Sequence, residues 1–228
     1  KVTLSEGEFY HIYNRGVDKR EVFGNDSDYK RFMLLLYLCN DKAPVKFDHL
    51  PKWRGSTSTE LIGAVFGNQE SRKPLVAVGA FCLMPNHFHI LLKEIKTNGI
   101  SSFMQKLSTA YTMYFNINRE RTGSLFQGRF KAEHLDNDNY LRYIFSYIHL
   151  NPLKLIQPNW KKIGVINQPR AKRHLSTYPH SSYMDYAGTQ REFAKILNRK
   201  EMPDYFPSKK YLTDSIDDWL DYNTRERR

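Results

Sequence analysis

The chain has 228 residues, 40% hydrophobic and 26% charged, which are the proportions of a folded protein and exclude wholesale disorder. It has no apolar run of about 18 residues, so no membrane-spanning helix is expected. Its first residues lack the apolar core of a signal peptide. Two isolated cysteines, Cys39 and Cys82, exclude a disulfide scaffold and a cysteine-based zinc finger, and the expectation is a cytoplasmic protein. Lys and Arg exceed Asp and Glu by 11, and the excess is uneven. Residues 1–151 hold 20 basic and 15 acidic side chains, whereas 152–210 hold 12 and 4. A polyanion fits that imbalance, nucleic acid above all, and 14% aromatic residues suit stacking on unpaired bases. Charge serving only solubility is the competing reading.

Along the chain, Glu8 to Asn14 has the residues of a strand and ends at Arg15-Gly16. Asn25 to Asp28 supplies helix-cap chemistry ahead of a helix from Tyr29 to Cys39. Residues 41–73, with Pro44, Pro51, Gly55 and Gly67, are expected to be an inserted surface loop with one short helix near Glu60–Phe66. Leu75–Met84 is almost continuously apolar and predicts a buried strand. Pro85-Asn86 predicts a turn, and His87–Ile95 the returning strand of a hairpin. Ile100–Arg119 reads as a helix, Phe130–Leu135 as a short strand, and Tyr140–Leu150 as a helix capped by Asp136–Asp138 and ended by Pro152. The order is strand, helix, strand, strand, helix, strand, helix. It predicts an α+β, ferredoxin-like sandwich with a central antiparallel sheet. Residues 1–152 would be the main domain. Residues 153–228 would be a basic extension packed on it, with two short helices near Thr189–Asn198 and Thr213–Asn223.

Strand alternation puts His87 and His89 on one face and Phe88 on the other. Two converging imidazoles share a metal ion readily, although two structural histidines at a strand end fit as well. Tyr147 and Asn151 are four residues apart, hence on one face of the last helix. An amide oxygen added to two imidazole nitrogens leaves positions for water and phosphate. That suits Mg²⁺ or Mn²⁺ better than a closed zinc site. Tyrosine is a known covalent nucleophile, but Tyr147 is one of 15 tyrosines, and packing would also account for it.

Leu83-Met84-Pro85-Asn86-His87-Phe88-His89-Ile90-Leu91-Leu92 resembles the HUH motif of the single-tyrosine transposases, and most of all the REP-associated tyrosine transposases. Tyr10–Gly16 resembles the opening strand of that family and Gly123–Phe130 the segment ahead of its last helix. Tyr147-Ile148-His149-Leu150-Asn151-Pro152 resembles its tyrosine motif, and Ser181–Gly188 a downstream element. The resemblance covers about residues 8–40 and 74–190. It implies His87, His89 and Asn151 as ligands of Mg²⁺ or Mn²⁺, with Tyr147 as the nucleophile. The implied activity is cleavage and rejoining of single-stranded DNA at REP-like hairpins through a 5′-phosphotyrosine, which would place the protein on the nucleoid when bound. The 41–73 insertion and the tail beyond 190 depart from the family pattern and are expected to leave the catalytic set untouched.

Candidate DNA contacts are Arg15, Gln127, Arg129, Lys154, Lys161, Lys162, Arg170, Lys172 and Arg173. Tyr143 reads as packing and His149 as structural, while His134 is a further candidate to approach the metal. Two rival readings are a domesticated, non-catalytic nucleic-acid-binding protein on the same fold and a small metallohydrolase. The second lacks an evident third strong ligand and water-activating carboxylate beside the histidine pair.

Overall fold

The computed structural model describes residues 2–45, 58–67, 72–203 and 208–225. Strand β1 (Phe9–Arg15) leads to helix α1 (Asp26–Leu38) and helix α2 (Ser58–Gly67). The hairpin β2 (Val76–Met84) and β3 (His87–Glu94) follows, then α3 (Gly99–Asn118), β4 (Lys131–His134) and α4 (Asp138–Leu150). The sheet order is β2-β3-β1-β4 with every pair antiparallel, the ferredoxin-like arrangement expected from the element order. Asn25 closes a capping box with Asp28 at α1, and Asn137 accepts from the Tyr140 amide at α4, so both helix starts lie where the cap residues put them.

Each sheet face has its own core. Tyr10, Ile12, Val78, Phe81, Leu83, Phe88 and Ile90 pack against α1 and α3. Ala77, Ala80, Cys82, Met84 and Leu91 face Leu141, Ile144, Phe145 and Ile148 of α4. Those α4 residues recur at i, i+3, i+4 and i+7, one buried stripe. In the neighbouring stripe, Tyr140 reaches Glu133 of β4, and Tyr147 reaches His11 of β1 and His89 of β3.

The described part of residues 41–73 is no loose loop. Leu61, Val65 and Phe66 of α2 are buried in the first core, with the Phe66 ring 4.6 Å from Tyr37. Three apolar residues on one side of a short helix were enough to dock it. Residues 46–57 and 68–71 of the expected insertion lie outside the described residues.

The C-terminal region is more helical than its composition predicts. It contains α5 (Trp160–Ile163), α6 (Gln168–Thr177), α7 (Tyr183–Tyr186) and α8 (Lys209–Arg225), whereas the expected 189–198 helix is a 3₁₀ turn, Glu192–Ile196. In α6 only Ala171 and Leu175 are buried and Pro169 sits in the first turn, so its apolar signal is two residues long. Residues 178–198 run along the outer edge of β2. Leu83 N–H donates to His180, Ser182 N–H to Phe81, and Asn198 N–H to Val78. The hydroxyls of Tyr178 and Tyr186 donate to the Leu83 and Gly79 carbonyls at 2.6 Å. The strap satisfies an edge that would otherwise offer open backbone to another chain.

Gly99 opens α3, and a Cβ there would collide with the Leu75 carbonyl. Gly99→Ala is expected to cost about 1–3 kcal/mol because the obstacle is backbone and cannot rotate away. Urea unfolding checks it, and a midpoint equal to wild type would show that the start of β2 yields freely.

Candidate active site

The pairing register brings the site together. Tyr13 of β1 lies opposite His89 of β3, Arg15 opposite His87, and His11 opposite Glu133 of β4. His11, Tyr13, His87, His89 and Glu133 thus share the face that α4 covers. The Tyr147 ring meets His89 edge-on at 5.5 Å and His11 at 6.0 Å. The histidine pair and the tyrosine, more than fifty residues apart in sequence, form one cluster.

The imidazoles are held with one nitrogen engaged. His87 Nδ1 donates to Asn86 Oδ1 at 2.6 Å, because a carbonyl oxygen only accepts. His89 Nδ1 bonds His11 Nε2 at 2.8 Å, and His11 Nδ1 faces Glu133 Oε2 at 3.3 Å. His89 is buried, and its Nε2 has no partner among the described residues. Burial pushes His87 down to about 4, helped by the charges of Lys154 and Arg15. Burial, His11 and His87 together hold His89 well below the ordinary imidazole range. Both rings are therefore neutral at pH 7 and carry a lone pair. Burial works against the charge on Glu133, but hydrogen bonds from Tyr13, His11 and Tyr140 outweigh it and keep the carboxyl below its usual range.

A buried, unpartnered imidazole nitrogen costs about 1–3 kcal/mol, and it is the donor a divalent cation takes. The free lone pair of His89, with the His87 ring 5.0 Å away, is compatible with a metal held by imidazole, but among the described residues no group of three His, Cys, Asp or Glu side chains is placed to hold one. Asn151 is fully buried, its Nδ2 donating to the Tyr147 carbonyl at 2.9 Å and its Oδ1 accepting from Lys154 Nζ at 3.0 Å. Its oxygen thus already serves an ammonium, and a metal there would have to displace Lys154.

Tyr147 is half-buried. Burial raises its hydroxyl above the ordinary value, and the Asn151 side chain opposes that shift. Lys161 Nζ stands 3.7 Å from the ring centroid and Lys154 Nζ 5.6 Å, so two cations flank the phenol. Partial burial, then the Lys154 charge, push Lys161 down to about 8. Tyr143 is not packed in the core. It is 43% exposed and stacks parallel to Tyr147 at 6.3 Å, with Trp219 of α8 5.1 Å away on it. Ser215 of the same helix bonds Ser146 at 2.6 Å. The tail beyond 190 therefore packs on the Tyr147 helix, as an extension packed on the main domain would, and does so through Tyr143 and Ser146.

The remaining candidates divide. Arg15 Nε donates to Gln127 Oε1 at 2.6 Å, and Asn14 Nδ2 to the Gly128 carbonyl at 3.2 Å. These bonds hold the 125–129 loop and exposed Arg129 at the His87 end of the sheet. Lys154 and Lys161 lie at Tyr147, while Lys162, Arg170 and Arg173 are exposed on and before α6. Lys172 is paired with Asp217 at 2.8 Å. His134 lies opposite Tyr10, on the other sheet face, and bonds Glu8 at 2.8 Å, so it does not reach the pair. His149 is buried and bonds Ser182 Oγ at 2.8 Å, a structural role. His11 and Glu133 were missed. Alternation puts His11 and Tyr13 on one face, but nothing in the sequence says which strand lies beside them.

Among the described residues no helix is long and apolar enough to cross a membrane. No curated protein matches the chain. One solved structure that is similar is a REP-associated tyrosine transposase bound to a REP hairpin, at 14% identity and a TM-score of 0.49, over 84% of this chain and 87% of that one. A family model described as "Transposase IS200 like" matches residues 59–151, beginning inside the stretch set apart above as an insertion. The family resemblance carried by the histidine and tyrosine motifs is borne out over that stretch: residues 59–151, with the His87–His89 hairpin and the Tyr147 helix, match the IS200-like transposases.

Proposed function

We propose that the protein is a metal-dependent endonuclease and strand transferase for single-stranded DNA bearing REP-like hairpins. The observation that carries this reading is the Tyr147 ring standing 5.5 Å from His89, whose buried Nε2 has no partner among the described residues. The match of residues 59–151 to a transposase family supports it. His87 and His89 would hold Mg²⁺ or Mn²⁺, with Asn151 completing the set if Lys154 moves aside. Such an ion, when bound, withdraws charge from the scissile phosphate oxygens.

Tyr147 Oη forms a bond to phosphorus, and the bond from phosphorus to the 3′ oxygen breaks. The phenolic proton passes to solvent and the departing 3′ oxygen takes one up, so the products are a 5′-phosphotyrosine and a 3′ hydroxyl. The diester energy is retained in the link, and a second 3′ hydroxyl reverses the step without a nucleotide cofactor. Lys154 and Lys161 stabilise charge on the phosphate and on the phenolate as it forms. The test is a denaturing gel of protein with labelled hairpin DNA and Mn²⁺. A covalent adduct that EDTA suppresses is expected. Binding without any adduct would favour the non-catalytic alternative.

The exposed cations after Pro152 are assigned to phosphate contact. Each phosphate neutralised contributes a slope of about −0.7 in log affinity against log salt on a single strand. Replacing Lys161, Lys162, Arg170, Lys172 and Arg173 with neutral residues is expected to flatten that slope and to weaken binding to every sequence alike. Lys172 should contribute least because Asp217 already pairs with it. Dissociation constants at four salt concentrations decide it, and coincident lines for variant and wild type would remove α5 and α6 from the interface.

A further inference from the structure

Glu133, His11 and His89 lie in a row across three strands, with contacts of 3.3 Å and 2.8 Å. Direction in that row follows from donor and acceptor chemistry. A carboxylate only accepts, so His11 Nδ1 carries the proton facing Glu133. A neutral His11 then has only a lone pair on Nε2, and the bond to His89 requires the hydrogen on His89 Nδ1. That leaves the His89 lone pair on Nε2, the buried atom with no partner among the described residues. Glu133 is itself fixed by the Tyr13 hydroxyl at 2.9 Å and the Tyr140 hydroxyl at 3.3 Å.

We infer that Glu133 and His11 are positioning residues that lock His89 in its Nδ1–H tautomer and so aim its Nε2 lone pair at the metal. The inference rests on the metal reading given above. A carboxylate that orients a ligating imidazole is a recurrent device of metal sites, and its loss costs about 10–100-fold in metal affinity. Here a second imidazole stands between carboxylate and ligand, so the restraint acts across the full width of β1. Glu133→Gln removes the direction of the row. An amide can donate as well as accept, which permits His11 to turn its proton toward His89 and moves the His89 hydrogen to Nε2, where it blocks the ligand position.

The experiment has two readouts. Long-range ¹H–¹⁵N NMR of the metal-free protein reports the His89 tautomer, and isothermal titration with Mn²⁺ reports affinity. Wild type is expected to show Nδ1–H. Glu133→Gln and His11→Ala are expected to show a mixed or reversed tautomer and about 10–100-fold weaker Mn²⁺ binding. His11→Gln, whose side-chain oxygen can still accept from His89, should recover part of that loss, which a purely structural contact would not do. Glu133 is half-exposed, so Glu133→Gln folds even where His11→Ala does not. Unchanged tautomer and affinity in Glu133→Gln would overturn the inference and leave the metal reading intact. A wild type that binds no Mn²⁺ would overturn the metal reading itself, and the inference with it.

Discussion

Tyr147→Phe is expected to lower adduct formation and cleavage by on the order of 10³-fold or more while hairpin affinity stays within about twofold. The substitution removes one oxygen and nothing else. The ring that meets His89 and His11 edge-on, stacks on Tyr143 and lies under Lys161 keeps its place. Oη is the one atom of the Tyr147 side chain that can form the bond to phosphorus. A denaturing gel scores the adduct, and a filter-binding curve scores affinity. Tyr143 is the competitor, being exposed and stacked on the same side of α4. Residual cleavage at the wild-type rate would transfer the nucleophile to Tyr143, and the double Phe variant would then be inert. Loss of binding together with cleavage would instead mean that the hydroxyl positions DNA.

Removing either metal ligand should be nearly as damaging. His89→Ala and His87→Ala are each expected to weaken Mn²⁺ binding by at least about 100-fold and to reduce cleavage to background, because two imidazoles are the strongest donors in the set. EDTA should reproduce that loss in wild type, and excess Mn²⁺ should reverse the EDTA effect but not the substitutions. Asn151→Ala is a less clean variant. The buried amide also bonds the Tyr147 carbonyl and Lys154, so its loss should cost about 1–3 kcal/mol of stability as well. A thermal melt beside the activity measurement separates the two effects. Cleavage that EDTA leaves untouched would exclude the metal from the mechanism, whatever the substitutions do.

Most of the fold was legible because its signals are local. Asn25 and Asn137 start helices by bonding amides three residues on, and Pro85-Asn86 turns one strand into the next. The apolar run of β2 reads as buried because both its faces are covered. Helix α6 escaped because its apolar content is small: it buries only Ala171 and Leu175, and its stability comes from docking. Helix α2 was expected near Glu60–Phe66, but its spacing does not show that Phe66 docks on Tyr37 and Phe193 and so takes the helix out of a surface loop. Short helices of this kind are marginal alone, so their existence is a tertiary fact.

The same division runs through the site. His87 and His89 announce themselves by alternation on one strand, and Tyr147 with Asn151 by spacing on one helix, since both periods are properties of the local backbone. Their convergence, and the row from Glu133 through His11 to His89, depend on the order β3-β1-β4 and on a register that sets Tyr13 opposite His89 and His11 opposite Glu133. A shift of one residue would turn His11 into the opposite core. Residue type and spacing are enough to say which side chains can do chemistry and on which element each sits. Which of them meet is a tertiary matter, because strand register is set by the two buried faces packing at once, and neither packing is local.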